Sequence, residues 1–150
     1  MKDRVIQGFI AGIVGWLPTF IFSMTVYTGF HLTRIRFMDF GGVLAFSHRP
    51  HGFVEALFSE SIVLFHMAGL GILYAMVMNV IANPHPLLKG GIFGGLSWFI
   101  IYTVVNVFRV KGIYGVTDFE TAVLNLIGSI IWGITLGGAF SFLTQKHGEE

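Results

Sequence analysis

Residues 5–33, 61–88, 90–108 and 121–145 contain no Asp, Glu, Lys or Arg. A hydrocarbon core about 30 Å thick is crossed by about 20 helical residues, and each run reaches that length to within a residue. The pattern predicts four transmembrane helices at about residues 5–31, 61–81, 90–108 and 119–143. Pro18 falls in the middle of the first, where it removes one backbone donor and predicts a kink.

The connection between the first two runs is long and not simply polar. Phe53 with Leu57, and Val54 with Phe58, lie four apart on one helical face, with a charge, Glu55, opposite. This predicts an amphipathic segment lying in the interface over about residues 37–59, with a re-entrant dip at Gly41–Gly42 as the alternative. Asn83-Pro84-His85-Pro86 should stop the second span, which makes spans two and three a tight antiparallel hairpin. Thr117 stands three residues before Glu120, the spacing of a capping box, and so starts span four at Phe119.

The fold class that follows is an all-α membrane protein, one domain over residues 1–150, with four transmembrane helices arranged as two hairpins. Gly8, Ile10, Gly12 and Trp16 recur at the same spacing as Gly90, Ile92, Gly94 and Trp98. Glu60-Ser61-x-Val63-Leu64 is echoed by Glu120-Thr121-x-Val123-Leu124. Two spans per half would give the halves the same orientation, a parallel internal repeat.

Composition narrows the chemistry. Only 11% of residues are charged and 54% are hydrophobic, so no soluble catalytic domain is expected beside the spans. The chain has no cysteine, which excludes disulfides, thiolate catalysis and Cys-based metal centres. A net charge of +1 gives no field for nucleic acid. The first apolar run is longer than a signal-peptide core and lacks a small-x-small cleavage site, so it is expected to be retained. Lys2, Arg4, Lys89 and Lys146 fall on the side of the termini, and Arg34, Arg36, Arg49, Arg109 and Lys111 on the other. Lys2 and Arg4 flank the first span closely, which orients the termini to the cytoplasm of a cell-membrane protein.

Small residues recur every fourth position: Gly8 with Gly12, Gly90 with Gly94, Gly91 with Gly95, and Ser129 with Gly133 and Gly137. Such faces let helix backbones approach closely, within the bundle or against a partner. Polar residues inside hydrocarbon are costly and mark candidate sites. His66, Asn106 and Asn125 lie within roughly the outer 5–10 Å of one side, at 1.5 Å per residue. Glu60, Glu120, Arg109 and Asp39 belong to the same side, so a polar cluster roofed by the amphipathic connection is expected, serving as interhelical glue or as a ligand site. No catalytic motif appears. Haem would need a second imidazole at the depth of His66, and Pro50 between His48 and His51 spoils a helical metal pair, so no cofactor or metal is assigned.

The opening Gly8-Phe9-Ile10-Ala11-Gly12 with Trp16 resembles the YqhR family of small membrane proteins. So do the long amphipathic connection, Gly90-Gly91-Ile92-Phe93-Gly94-Gly95-x-x-Trp98 in the third span, and the acidic start of the fourth. The resemblance implies a small multi-pass membrane protein and assigns no activity or site residue. The expected function is that of a non-enzymatic accessory or assembly subunit, partnered by lipid and by its own copies or another membrane protein. Its interaction surface would be residues 33–60 and 109–120. The alternatives are a small oligomeric channel or carrier lined by His66, Asn106 and Asn125, and a quinone- or haem-binding redox subunit.

Overall fold

The computed structural model describes residues 4–78 and 85–146, the side chain of residue 146 excepted. Lys2, the end of span two at residue 81, the Asn83-Pro84 part of the predicted turn and residues 147–150 lie outside the described residues. Those described form five α-helices and no strand: α1 Arg4–Met24, α2 Phe37–Phe46, α3 Gly52–Val77, α4 Pro86–Val107 and α5 Phe119–Lys146. Four segments, Arg4–Gly29, Gly52–Val77, Pro86–Val107 and Phe119–Gln145, are long and apolar enough to cross a membrane. Their outward faces are apolar as well. Phe65, Phe99, Ile100 and Phe142 are each 61–70% exposed, the surface that lipid would cover.

α1 is the middle helix, packed against both α3 and α5, while α4 packs on α5 and α2 on α3. Glycine permits the closest of these approaches. A Cβ on Gly12 would stand 2.5 Å from Met67 O, and Gly8 backs in the same way onto Gly71. At the α4–α5 interface Gly90 and Gly94 meet Ser129, Gly133 and Gly137, while Gly91 and Gly95 face Ile134 and Ile130. Every small-residue face found in the sequence is therefore covered inside the chain. The core cluster of Ala11, Val63, Met67, Tyr74, Trp132 and Leu136 fills the space these backbones enclose.

Several local expectations are revised. α1 stays helical through Pro18 but gives way at Met24 to a π-helical turn, Thr25–Gly29, short of the expected residue 31. Thr25 Oγ1 and Thr28 Oγ1 donate back to Ile21 O and Met24 O, competing with the regular ladder. The segment 37–59 is divided between two helices. α2 ends at Ser47 in a left-handed conformation (φ 61°), and α3 begins at Gly52 and runs through Ser59 without a break. Phe53, 81% exposed, is thus on the first turn of a helix long and apolar enough to cross a membrane. α2 lies against that helix, with Gly41 packed on the Ser59 carbonyl.

The cap of α5 is Asp118, whose Oδ1 accepts the Thr121 N–H at 2.9 Å. Thr117 turns back instead to Ile113 O at 3.3 Å. α3 and α4, expected as a tight hairpin, are not among the closely packed helix pairs. They meet where Tyr74 reaches Pro86 O at 3.3 Å and sets its ring edge-on to Phe93.

Candidate functional site

Two arginines draw the long connection onto the α4–α5 turn. The Arg34 guanidinium pairs with Asp118 at 2.8 Å, and its backbone N–H donates to Thr121 Oγ1 at 2.9 Å. Arg49 Nε donates to Gly112 O at 2.8 Å and Nη1 to Arg34 O at 3.1 Å. Beneath them Ile35, Val43, Val105 and Ile113 form a second small core. Hydrogen bonds from the Thr121 hydroxyl and backbone, with Arg34 alongside, hold the Asp118 carboxyl below its ordinary value.

At the start of α2, Asp39 is 1% exposed yet fully engaged. It accepts the Arg36 backbone N–H at 2.7 Å and the guanidinium at 2.9 Å, and that guanidinium also covers the Tyr27 ring. A buried carboxylate is tolerated when it is paired in this way.

Between α3 and α4 the separation of the helices leaves a cavity of about 570 Å³. Ile62, His66 and Leu70 form one wall, and Trp98, Ile101 and Tyr102 the other. Ser129 and Trp132 of α5 make the floor, and Phe40, Val43 and Ile113 the roof. Its lining also includes Leu44, Ile100 and Val104, which are exposed on the apolar surface. Walls from Ile62 to Leu70 and from Ser97 to Val105 give it a length of about 12 Å at 1.5 Å per residue. The lining is overwhelmingly apolar, as small-molecule sites are.

A family model described as a family of unknown function (DUF6789) matches residues 2–150. The chain belongs to that family. No curated protein and no solved structure matches it.

In this DUF6789 protein the predicted polar cluster is divided. His66 stands in the cavity wall. Asn125, 3% exposed, donates to Tyr102 Oη at 3.0 Å. Asn106 is exposed and folds back on its own helix, donating to Tyr102 O at 2.7 Å. Glu60 lies at the α1–α3 interface, where it accepts the Trp16 indole N–H at 2.6 Å. Arg109 and Glu120 are exposed on the turn and on the first turn of α5. The residues that the sequence left out of the cluster are Trp16, Tyr102, Arg34 and Arg49. Each makes at least one contact across 23 residues or more, and no local pattern marks such pairs.

Proposed function

We propose that the protein is a non-enzymatic accessory component of the cell membrane that holds one membrane-dissolved chain molecule, acyl or isoprenoid, between α3 and α4. The cavity carries this reading. Its volume of about 570 Å³ is within the range of roughly 300–1,000 Å³ typical of small-molecule sites. One turn of a helix 10–12 Å wide fills roughly 400–600 Å³, so a partner helix would enter by little more than a turn. A single flexible chain matches both the length and the apolar lining. In this reading the spans cross the cell membrane with both termini in the cytoplasm. The α1–α3 and α4–α5 pairs act as two related hairpins, supported by the matched glycine contacts of Gly8 and Gly12 and of Gly90 and Gly94.

A channel reading has less support. Asn125 is occupied by Tyr102 and Asn106 by its own helix, so neither joins His66 on a common path. A pH-dependent ion flux that disappears in His66→Leu would nevertheless favour it.

The deciding experiment is native mass spectrometry of the protein released gently from its own membrane. The expected result is a complex with a retained lipid of chain-like mass, lost on narrowing the cavity with Ile101→Phe. A bare homo-oligomer with no adduct would overturn the reading.

A further inference from the structure

We infer that the α2–α3 turn is a binding site for one divalent transition-metal ion, held by His48, His51 and Glu55. The site is independent of the cavity and of the reading given above. It depends on a turn whose backbone does what sequence spacing argues against. Ser47 leaves α2 in a left-handed conformation, and His51 enters α3 as its extended N-cap residue. Pro50 keeps the residue before it out of the helical region. The chain thereby reverses and folds His51 back over His48, with ring centroids 4.9 Å apart.

The donor atoms converge. His48 Nδ1 and His51 Nδ1 are 3.2 Å apart, and Glu55 Oε2 lies 3.9 Å from each. Metal–nitrogen bonds of about 2.0–2.1 Å in a tetrahedral site set neighbouring ligand atoms about 3.3–3.4 Å apart. The two nitrogens are spaced like one edge of that tetrahedron. His48 Nδ1 also stands 2.8 Å from Arg49 O, a contact that a bound ion would replace. Glu55, on the first turn of α3, needs to close by only about half an ångström. Among the described residues these three form the group whose ligand atoms all fall within 4.8 Å of one another.

The surroundings hold the ligands in place. The His48 ring stacks on Phe46 at 5.7 Å. The His51 backbone N–H donates to Glu55 Oε2 at 2.7 Å and steers the carboxylate toward the imidazoles, as outer partners of metal ligands do. The Arg49 guanidinium, the nearest cation in sequence, is drawn away to Gly112 O and Arg34 O. Both histidines are exposed, which leaves an entry path and a fourth position for water. Two imidazoles and a carboxylate suit zinc and its first-row neighbours better than calcium or magnesium. Because Gly42 of α2 packs on Pro50, a bound ion would brace the α2–α3 turn.

The test uses the full chain in detergent, with any affinity tag removed and metal stripped by chelator. Cobalt(II) should bind one per chain and develop the strong visible absorption of tetrahedral coordination, and zinc should displace it. His48→Ala, His51→Ala and Glu55→Gln should each weaken binding by more than about tenfold, whereas His31→Ala and His85→Ala leave it unchanged. Glu55→Gln retains an acceptor for the His51 N–H, so circular dichroism should show it folded. Absence of stoichiometric binding, an octahedral spectrum, or binding that survives His51→Ala would overturn the assignment.

Discussion

The indole N–H of Trp16 donates to the Glu60 carboxylate at 2.6 Å, and this is how α1 and α3 satisfy an acidic group within their interface. Trp16 also stacks on Phe20, with ring centroids 5.2 Å apart, so the ring has a packing role apart from its N–H. Trp16→Phe keeps the ring and leaves the carboxylate without its donor, a loss of about 1–3 kcal/mol. Glu60→Gln keeps an acceptor oxygen for the indole and should cost under about 1 kcal/mol. Unfolding of both variants in the same detergent ranks them. If Trp16→Phe proves no worse than Glu60→Gln, the bond does not stabilise the interface.

Two glycines only two residues apart on α3 should respond in opposite ways. A Cβ at Gly71 would collide with the Gly8 carbonyl, so Gly71→Val forces α1 and α3 apart and should cost about 1–3 kcal/mol or more. A Cβ at Gly69 meets nothing within 4 Å. Gly69→Ala should therefore be neutral or stabilising by up to about 1 kcal/mol, the helix-propensity difference. Equal effects in a thermal-shift comparison would mean that the α1–α3 contact is not close.

What was legible in the sequence follows from what a single physical term decides. Hydrocarbon excludes charge, so the four uncharged runs mark the four long helices, and glycines at spacing four mark faces where backbones meet. The choice of partner for each face is a matter of tertiary packing. Gly8 gave no sign that it meets Gly71, nor Gly94 that it meets Ser129. The start of α3 is not legible, because Phe53, Leu57 and Glu55 satisfy the pattern of an interfacial helix and of a helix end equally well. Pro50 between His48 and His51 argues against a shared helix, yet a reversed turn brings their nitrogens together all the same. The cavity left no trace in the sequence, since it is a space between two helices that each read as ordinary spans.

The Arg34–Asp118 pair should make the α4–α5 turn sensitive to acid. The Asp118 carboxyl titrates below its ordinary value of 3.8 in the folded protein. A depressed carboxylate contributes stability that is fully present above the unfolded value and is lost as pH falls through the folded one. Hydrogen exchange over residues 110–118 should therefore be unchanged from pH 7 to about 5 and quicken in stronger acid, beyond the intrinsic pH trend. Asp118→Asn keeps an oxygen for the Thr121 N–H but loses the ion pair, and should remove that extra step. A step that persists in Asp118→Asn belongs to another carboxylate.

Trp132 provides an internal probe of the cavity floor. It is 2% exposed, is bonded to Gly12 O at 3.3 Å, and packs against Phe93 within the bundle. A tryptophan so enclosed should escape quenchers carried on lipid chains unless a chain enters between α3 and α4. With Trp16 and Trp98 replaced by Phe, and the variant shown by circular dichroism to keep the fold and by native mass spectrometry to keep the adduct, the remaining Trp132 fluorescence should be quenched by lipids brominated along their acyl chains and not by aqueous iodide. Ile101→Phe adds bulk to the opposite wall and should restore much of the emission, because the chain is then excluded. Quenching that is absent from the start, or that is indifferent to Ile101→Phe, would mean that no bilayer chain occupies the space. If iodide reaches Trp132 instead, the cavity holds water and His66 returns as a residue of an aqueous path.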